Sequence, residues 1–364
     1  MERIPLIRPY VNFEDLEINF REIVETGKLT KGDYVSEFSA AIRQYTGAKY
    51  CYLTTSATTS LFMALHVLGV SAGDEVIVSD FSFPATANVV EQVGAKPIFA
   101  DVDINTFNMK FSSLEQLIGP NTKAVIFVDA FGNPSGLSAI QRTCEAHGIP
   151  LIEDAACAFG SAVREHKCGS IADITCFSFH PRKLMTTGEG GAITTNNESY
   201  AKLFDIKLNH GAQLKQTGKR LEFVDFGFNF RMSELQAALG LSQIDKLDSI
   251  IEQRNLTFAS YQSELQPIGF KPQLRDYDII HNVQSVVFRT PEGMDRDQLI
   301  NKLSKENIET TIGTYALSNE PYFKKKYSTI CKNAIKLYET TITLPCFDNV
   351  NTRRVINAIK TLSK

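Results

Sequence analysis

The stretch CFSFHPRKLMTTGEGGAITT, residues 176–195, reads as an apolar strand, a polar turn with one lysine, and a glycine cluster opening a second apolar strand. An amine becomes a useful nucleophile toward an aldehyde when its surroundings lower its pKa and hold it rigidly, and a strand end closed by a tight glycine turn supplies both conditions. Lys183 is therefore the candidate for chemistry. Taken alone, a lysine in a loop beside a Gly-rich turn is a solvated side chain, so the weight falls on its surroundings.

Outward from this stretch, β-rich runs alternate with helical patterns from about residue 46 to 195: EVIVS (75–79), PIFADV (97–102), KAVIFV (123–128), IPLIED (149–154), ITCFSF (174–179) and GAITT (191–195). Such alternation predicts βα units and a mostly parallel sheet covered on both faces. SATTSLFMALHVLGV (56–70) places Leu61, Leu65 and Leu68 on one helical face, and GLSAIQRTCEAHG (136–148) has similar character with a terminal Gly; both are expected to be crossover helices. Active sites of open α/β sheets lie beyond the carboxyl ends of the strands. Asp154, the turn near Ser56 and the approach to Lys183 are thus expected to meet in one pocket.

After residue 205 the character changes. KLNHGAQLKQTGKRLEFVDFGFNF (207–230) is polar, basic and glycine-punctuated, which predicts a mobile loop able to close over a ligand. SELQAALGLSQIDKLDSIIEQRNLTFASYQSEL (233–265) exceeds a typical globular helix and is expected to break near Asp245 to Ser249. The domain boundary is set there, with the N-terminal segment and a large cofactor-binding domain over 1–245 and a smaller α+β domain over 246–364. In the latter, NVQSVVFRT (282–290) reads as a strand, DRDQLINKLSKEN (295–307) as a helix, and the segment after Pro345 as a final helix.

Composition narrows the class. A chain of 364 residues is too long for one ordinary core. Hydrophobic residues at 43% and charged residues at 22% are ordinary for a globular protein, and 38 basic against 41 acidic side chains leave no electrostatic footprint for nucleic acid or anionic membrane. The start MERIPLIRPYVNFEDLE lacks a charged region followed by an apolar one, and no apolar run approaches a bilayer span, so the expectation is a cytoplasmic enzyme. Seven scattered cysteines never form CxxC, and six dispersed histidines form no HExxH; neither a disulfide framework nor a metal site is expected.

Several residues acquire meaning only together. Ser56, Ala57 and Thr58 precede the first strong helix, where amides and hydroxyls bind a phosphate at the positive dipole end, or where Ser56 merely caps the helix. Asp154 ends an apolar strand, where a carboxylate either keeps the nitrogen of a pyridine ring protonated or caps the following AACAF segment. Phe83 in DFSFPATAN (80–88) is a candidate to lie against a cofactor ring, against the ordinary reading of a core aromatic. Asn229 in FGFNFRM (226–232) reaches a phosphate or orders a turn, and Arg231 beside it fits an ion pair. Pyridoxal phosphate is the aldehyde cofactor that this set suits.

In order and combination these segments resemble the DegT/DnrJ/EryC1/StrS family of pyridoxal-phosphate-dependent sugar aminotransferases, within the fold type I aminotransferases. The resemblance runs through TGKLTKGDYVSEFSAAIRQYTGAKYC (26–51), GDEVIVSDFSFPATANVVEQVGAKPIFADVD (73–103), EDAACAFGS (153–161), the Lys183 stretch and FGFNFRMSELQAALGLSQIDKLD (226–248). It implies an α/β fold with a mostly parallel central sheet in the large domain and a smaller C-terminal α+β domain. It makes Lys183 the lysine covalently joined to pyridoxal 5'-phosphate and the proton shuttle once an amino donor displaces it. It further implies that Asp154 pairs with the pyridine nitrogen, that Phe83 stacks on the ring, and that Ser178 and the Ser56–Thr58 turn hold the phosphate. Asn229 would come from the neighbouring subunit of a homodimer with shared active sites.

Two positions depart from the family pattern. Cys157 stands where Gln is usual, a much weaker hydrogen-bonding group toward the cofactor's phenolic oxygen, and Ala57 stands where the phosphate turn usually has Gly. A dehydrating branch of the family has His in place of the lysine; Lys183 favours transamination. The expected activity is ping-pong transfer of an amino group from an amino acid, glutamate by expectation, through pyridoxamine phosphate, to a keto group of a nucleotide-linked deoxysugar. Thr30, His210 and Tyr315 are the candidates for substrate contacts. The alternatives are the same chemistry on a small, phosphorylated or unphosphorylated ketone, and a non-catalytic regulator that binds the cofactor. A nicotinamide enzyme is disfavoured, because GEGG (188–191) lacks GxGxxG spacing.

Overall fold

The computed structural model describes residues 2–215 and 220–363. Seven strands form the central sheet: β1 (Tyr50–Thr54), β2 (Glu75–Ser79), β3 (Lys96–Ala100), β4 (Thr122–Val128), β5 (Leu151–Asp154), β6 (Ile174–Ser178) and β7 (Gly191–Thr195). Their order is β1-β7-β6-β5-β4-β2-β3. The run from β3 to β6 is parallel, and β7 lies antiparallel between β6 and β1. All six runs read as strands are present; β1 is an addition, although YCYLT has the Tyr and Thr content of a strand and alternates in burial.

Side chains alternate across a strand, and this alternation divides the core. Val76, Val78, Ala124, Ile126 and Ile152 enter one cluster with helix α3 (Ala57–Val67), while Ile77, Val125, Phe127 and Leu151 enter another. Helices α1 (Glu17–Thr26) and α2 (Asp33–Thr46) precede the sheet; α4 (Ala85–Gln92), α5 (Phe111–Leu117), α6 (Leu137–His147) and α7 (Glu198–Lys207) follow in the crossovers and beyond. The second cluster takes Leu114 from α5 and Ile140 from α6. α3 is buried nearly all round rather than amphipathic, because it passes under both the sheet and a returning C-terminal segment; Leu68, its C-cap, is partly buried against the same cluster as Leu61 and Leu65.

The segment read as a mobile loop contains an antiparallel pair, β8 (Ala212–Leu214) with β9 (Leu221–Phe223). That part of the expectation is corrected: backbone pairing needs no apolar pattern, so polar side chains hid the ribbon. Residues 216–219 of the segment lie outside the described residues. The long helical stretch breaks as expected, with α8 (Glu234–Ile244) ending before α9 (Leu247–Leu265).

Beyond it, β10 (Lys271–Pro272), β11 (Val286–Arg289), β12 (Thr311–Ile312) and β13 (Thr341–Leu344) form an antiparallel sheet in the order β10-β11-β13-β12. It packs on α9, on α10 (Arg296–Lys305) and, past α11 (Pro321–Tyr327) and α12 (Lys332–Thr340), on α13 (Thr352–Leu362). Residues 315–338 return to the large sheet, where Ala316, Leu317, Phe323 and Leu337 join the core over α3. Asp80 fastens this segment: its Oδ1 accepts from the Ser318 amide at 2.6 Å and its Oδ2 from the Ser318 hydroxyl at 2.9 Å.

Candidate active site

The carboxyl ends of β4, β5 and β6 and the N-terminus of α3 enclose a cavity of about 510 Å³. Parallel strands bring this about, since each crossover returns the chain so that consecutive strand ends open on the same edge. Eight of the residues singled out in the sequence line it: Ser56, Ala57, Thr58, Phe83, Asp154, Cys157, Ser178 and Lys183.

Lys183 sits on a pinned turn. Its amide donates to the His180 carbonyl at 2.8 Å, Phe179 and Thr187 pair at 2.9 Å, and the next amide, Leu184, donates to Gln284 at 3.0 Å. The half-buried side chain enters the cavity, and Nζ donates to Cys157 Sγ at 3.0 Å. The glycine cluster has a packing reason: a Cβ on Gly191 would lie 2.6 Å from the Ser56 carbonyl carbon and 2.8 Å from the Ala57 nitrogen. Only glycine lets β7 meet the start of α3, bringing the lysine turn and the helix N-terminus into one wall.

Ser56 is the N-cap, accepting from the Thr59 amide at 3.2 Å in a capping box. The capping reading therefore holds, and the first-turn amides of Ala57 and Thr58 still border the cavity. At Asp154 the capping alternative fails, because residues 155–160 form turns and no helix. Its Oδ2 accepts from Thr86 Oγ1 at 2.9 Å and its Oδ1 from the Ala156 amide at 3.3 Å. Burial pushes this carboxyl up, against the lowering effect of these two donors and the charge on Lys183. Phe83 is 65% exposed at the mouth, so it is not a core aromatic.

Four candidates lie outside the lining. Tyr315 pairs with Ser82 across a short antiparallel bridge, its ring 6.4 Å from that of Phe83, next to Thr314, which does line the cavity. Thr30 pairs with Ser233, and Asn229 with Asn209; the His210 amide donates to the Phe228 carbonyl at 3.1 Å. These three occupy neighbouring chain segments away from this chain's Lys183.

Of the lining residues that escaped the sequence reading, Thr86 and Asp129 bear most on the site. Thr86, one helical turn past Phe83, carries no signal of its own. Asp129 had one, a carboxylate just past an apolar strand, the same logic that singled out Asp154. Its side chain is fully buried and both oxygens lack a hydrogen-bond donor. Asp129, Glu153 and Cys168 bring their carboxyl and thiol atoms within 4.8 Å of one another. Two full charges at that distance repel by about 3 kcal/mol or more at an effective dielectric constant of about 20. Burial first, then the Glu153 charge, pushes the Asp129 carboxyl well above its usual range. No short sequence spacing announces this trio, because its members come from β5 and the segments after β4 and before β6.

A lysine and a buried carboxylate facing one cavity, beyond the carboxyl edge of a mostly parallel seven-stranded sheet with a helix N-terminus between them, belong to a pyridoxal-phosphate-dependent transaminase of fold type I. The chain is a member of the DegT/DnrJ/EryC1/StrS aminotransferase family, whose sequence pattern matches residues 13–363. It is 33% identical over 374 residues to the spore coat polysaccharide biosynthesis protein SpsC of Bacillus subtilis (strain 168), covering 98% of this chain and 95% of that protein. It is 30% identical over 366 residues to the GDP-perosamine synthase of Escherichia coli O157:H7, covering 100% of this chain and 99% of the relative. The PLP form of Spr1654 from Streptococcus pneumoniae superposes with a TM-score of 0.91 at 27% identity, over 100% of this chain and 99% of that one.

Proposed function

We propose that this chain is a ping-pong aminotransferase that takes an amino group from an amino acid, glutamate as the leading donor, and delivers it to a keto group of a nucleotide-linked deoxysugar. The observation that carries the reading is Lys183 Nζ entering a cavity floored by the buried carboxylate of Asp154. The acceptor class rests on relatives such as the GDP-perosamine synthase.

The residues fit pyridoxal phosphate. Lys183 is the tether, Asp154 the partner of the ring nitrogen, and Phe83 the exposed aromatic at the mouth that the ring would lie against. The Ala57 and Thr58 amides at the dipole's positive end, with the Ser56 and Ser178 hydroxyls, suit a phosphate. When bound, the cofactor accepts electrons from the substrate carbon. Thr86 and Ala156 favour the Asp154 anion against the effect of burial, and that anion would hold a proton on the ring nitrogen. Lys183, once displaced, carries a proton on Nζ to and from the reacting carbon, positioned by its pinned turn. Cys157 Sγ lies beside that amine where a stronger hydrogen-bonding group is usual in the family.

The same reading makes the protein a homodimer with shared sites, in which Asn229 reaches the phosphate of the other copy and Thr30, His210 and Tyr315 contact substrate. It places the domain boundary at the break between α8 and α9, and the enzyme in the cytoplasm; among the described residues no helix is long and apolar enough to cross a membrane.

The test is a visible spectrum of purified protein reconstituted with pyridoxal phosphate, followed by glutamate addition and by borohydride trapping with peptide mapping. The expected result is an absorbance band that glutamate bleaches and a reduced adduct on Lys183; an adduct elsewhere overturns the reading. Recovery of the band on adding nucleotide ketosugars supports the acceptor class, and recovery only with a small ketone sinks it.

A further inference from the structure

Successive side chains of β5 face opposite sides of the sheet, so Glu153 and Asp154 project away from each other. Asp129, just beyond β4, stands at the sheet edge between them: it lines the cavity that Asp154 faces, and it is also within 4.8 Å of the Glu153 carboxyl behind the sheet. Glu153 Oε2 is already satisfied, accepting from Thr175 Oγ1 at 2.7 Å and the Gly169 amide at 3.3 Å. Glu153 Oε1 and both Asp129 oxygens have no donor. A carboxylate accepts and does not donate, so two ionised groups here would leave three buried oxygens bare and facing like charge.

We propose that Asp129 is held as a neutral acid, its proton donated to Glu153 Oε1, and that it serves as a positioning residue which leaves Asp154 the single negative group at the cavity floor. An anion at Asp129 would oppose ionisation of Asp154 and weaken its hold on a proton at a ring nitrogen. The raised Asp129 carboxyl agrees with this arrangement. The other titratable groups around the pair are Asp154, Cys157, Lys183 and, beneath Asp154 on the same face of the sheet, Cys176; Cys168 lies behind it, and His281 bonds the Phe131 carbonyl. The consequence for a bound cofactor rests on the proposed function; the shared proton does not.

The experiment has two arms. In the first, unfolding of the cofactor-free protein is measured from pH 5 to 7 for wild type and Asp129→Asn, whose amide donates to Glu153 as the acid does. The native acid keeps a proton that the unfolded chain loses above about pH 4, so wild-type stability falls as pH rises through this window. The variant lacks that loss. The folding constant of Asp129→Asn relative to wild type is expected to grow about tenfold per pH unit; a ratio constant with pH overturns the proposal, because a steric role is pH-independent. Stabilisation of wild type by zinc, reversed by chelator and absent in Asp129→Asn and Cys168→Ser, also overturns it by putting a cation where the proton is assigned.

In the second arm, the visible band of reconstituted protein is titrated. Asp129→Asn should keep the wild-type midpoint. Glu153→Gln, which removes the charge opposing Asp129 and offers it an amide donor so that it ionises, should move the midpoint to higher pH by about one unit, since an anion lining the cavity favours a protonated chromophore. An unmoved midpoint in Glu153→Gln overturns the positioning role. Failure of all proteins to take up pyridoxal phosphate overturns the proposed function instead, and leaves the first arm to decide the proton.

Discussion

Thr86 supports Asp154 with a single hydroxyl that also bonds Ser82 at 2.8 Å. Thr86→Val keeps the shape and removes the donor, leaving a buried carboxylate oxygen bare. The expected cost is about 1–3 kcal/mol of stability at pH 7 in urea unfolding, with Thr86→Ser recovering most of it. Lys183 and Asp154 could be placed at the cavity from the sequence because they come in order with the other motifs, Asp154 at the end of an apolar strand and Lys183 in the turn after the next one; alone, each had an ordinary structural reading. Thr86 could not, since a threonine inside PATAN looks like any helical threonine; its role is visible only once α4 lies beside β5. Asp129 was missed although it obeys the rule that found Asp154, while Glu153 and Cys168 obey no local rule at all.

At the scale of elements, α8 does for α2 what α2 cannot do for itself. The N-cap of α2 is Gly32, which has no side chain to accept from the free amides. Glu234, 1% exposed in the first turn of α8, accepts instead from the amides of Gly32 at 2.7 Å, Tyr34 at 3.0 Å and Val35 at 3.3 Å. Glu234→Ala strands these donors, partly buried, and is expected to cost about 3 kcal/mol, read as a lowered thermal midpoint; Glu234→Gln, which keeps one acceptor, should cost less. The six strands from EVIVS to GAITT were legible because the interior of a mostly parallel sheet, covered on both faces, needs continuous apolar runs, the antiparallel GAITT included. The β8–β9 ribbon was not, because an exposed ribbon is held by backbone pairing that leaves little mark on side-chain pattern; β1 had a signal, Cys51 and Leu53 alternating with Tyr50 and Tyr52, but it is short and stands alone between two helices.

For the whole molecule, the division proposed at the α8–α9 break is crossed by residues 315–338, which leave the C-terminal sheet to cover α3. Periodicity is local and carries no information about which distant core a helix joins, so this return was not legible. Asp80 is its fastening, and burial raises that carboxyl to about 7 despite the two Ser318 donors. Asp80→Ala is expected to accelerate hydrogen exchange in residues 313–340 well before global unfolding, and to leave the strands β4 to β6 protected; uniform acceleration across the chain would show that the segment does not open by itself.

The contact of Gly191 with Ser56 and Ala57 also has a consequence for the order of assembly. It joins residues 135 or so apart in the chain, and β1 pairs with β7 across the same span. Closing so long a loop is slow, so the wall shared by the lysine turn and the helix N-terminus is among the last parts of the sheet to form during refolding. A ligand spanning that wall has nothing to hold on to in a partly folded chain, and its uptake will time the final step of folding rather than an early collapse.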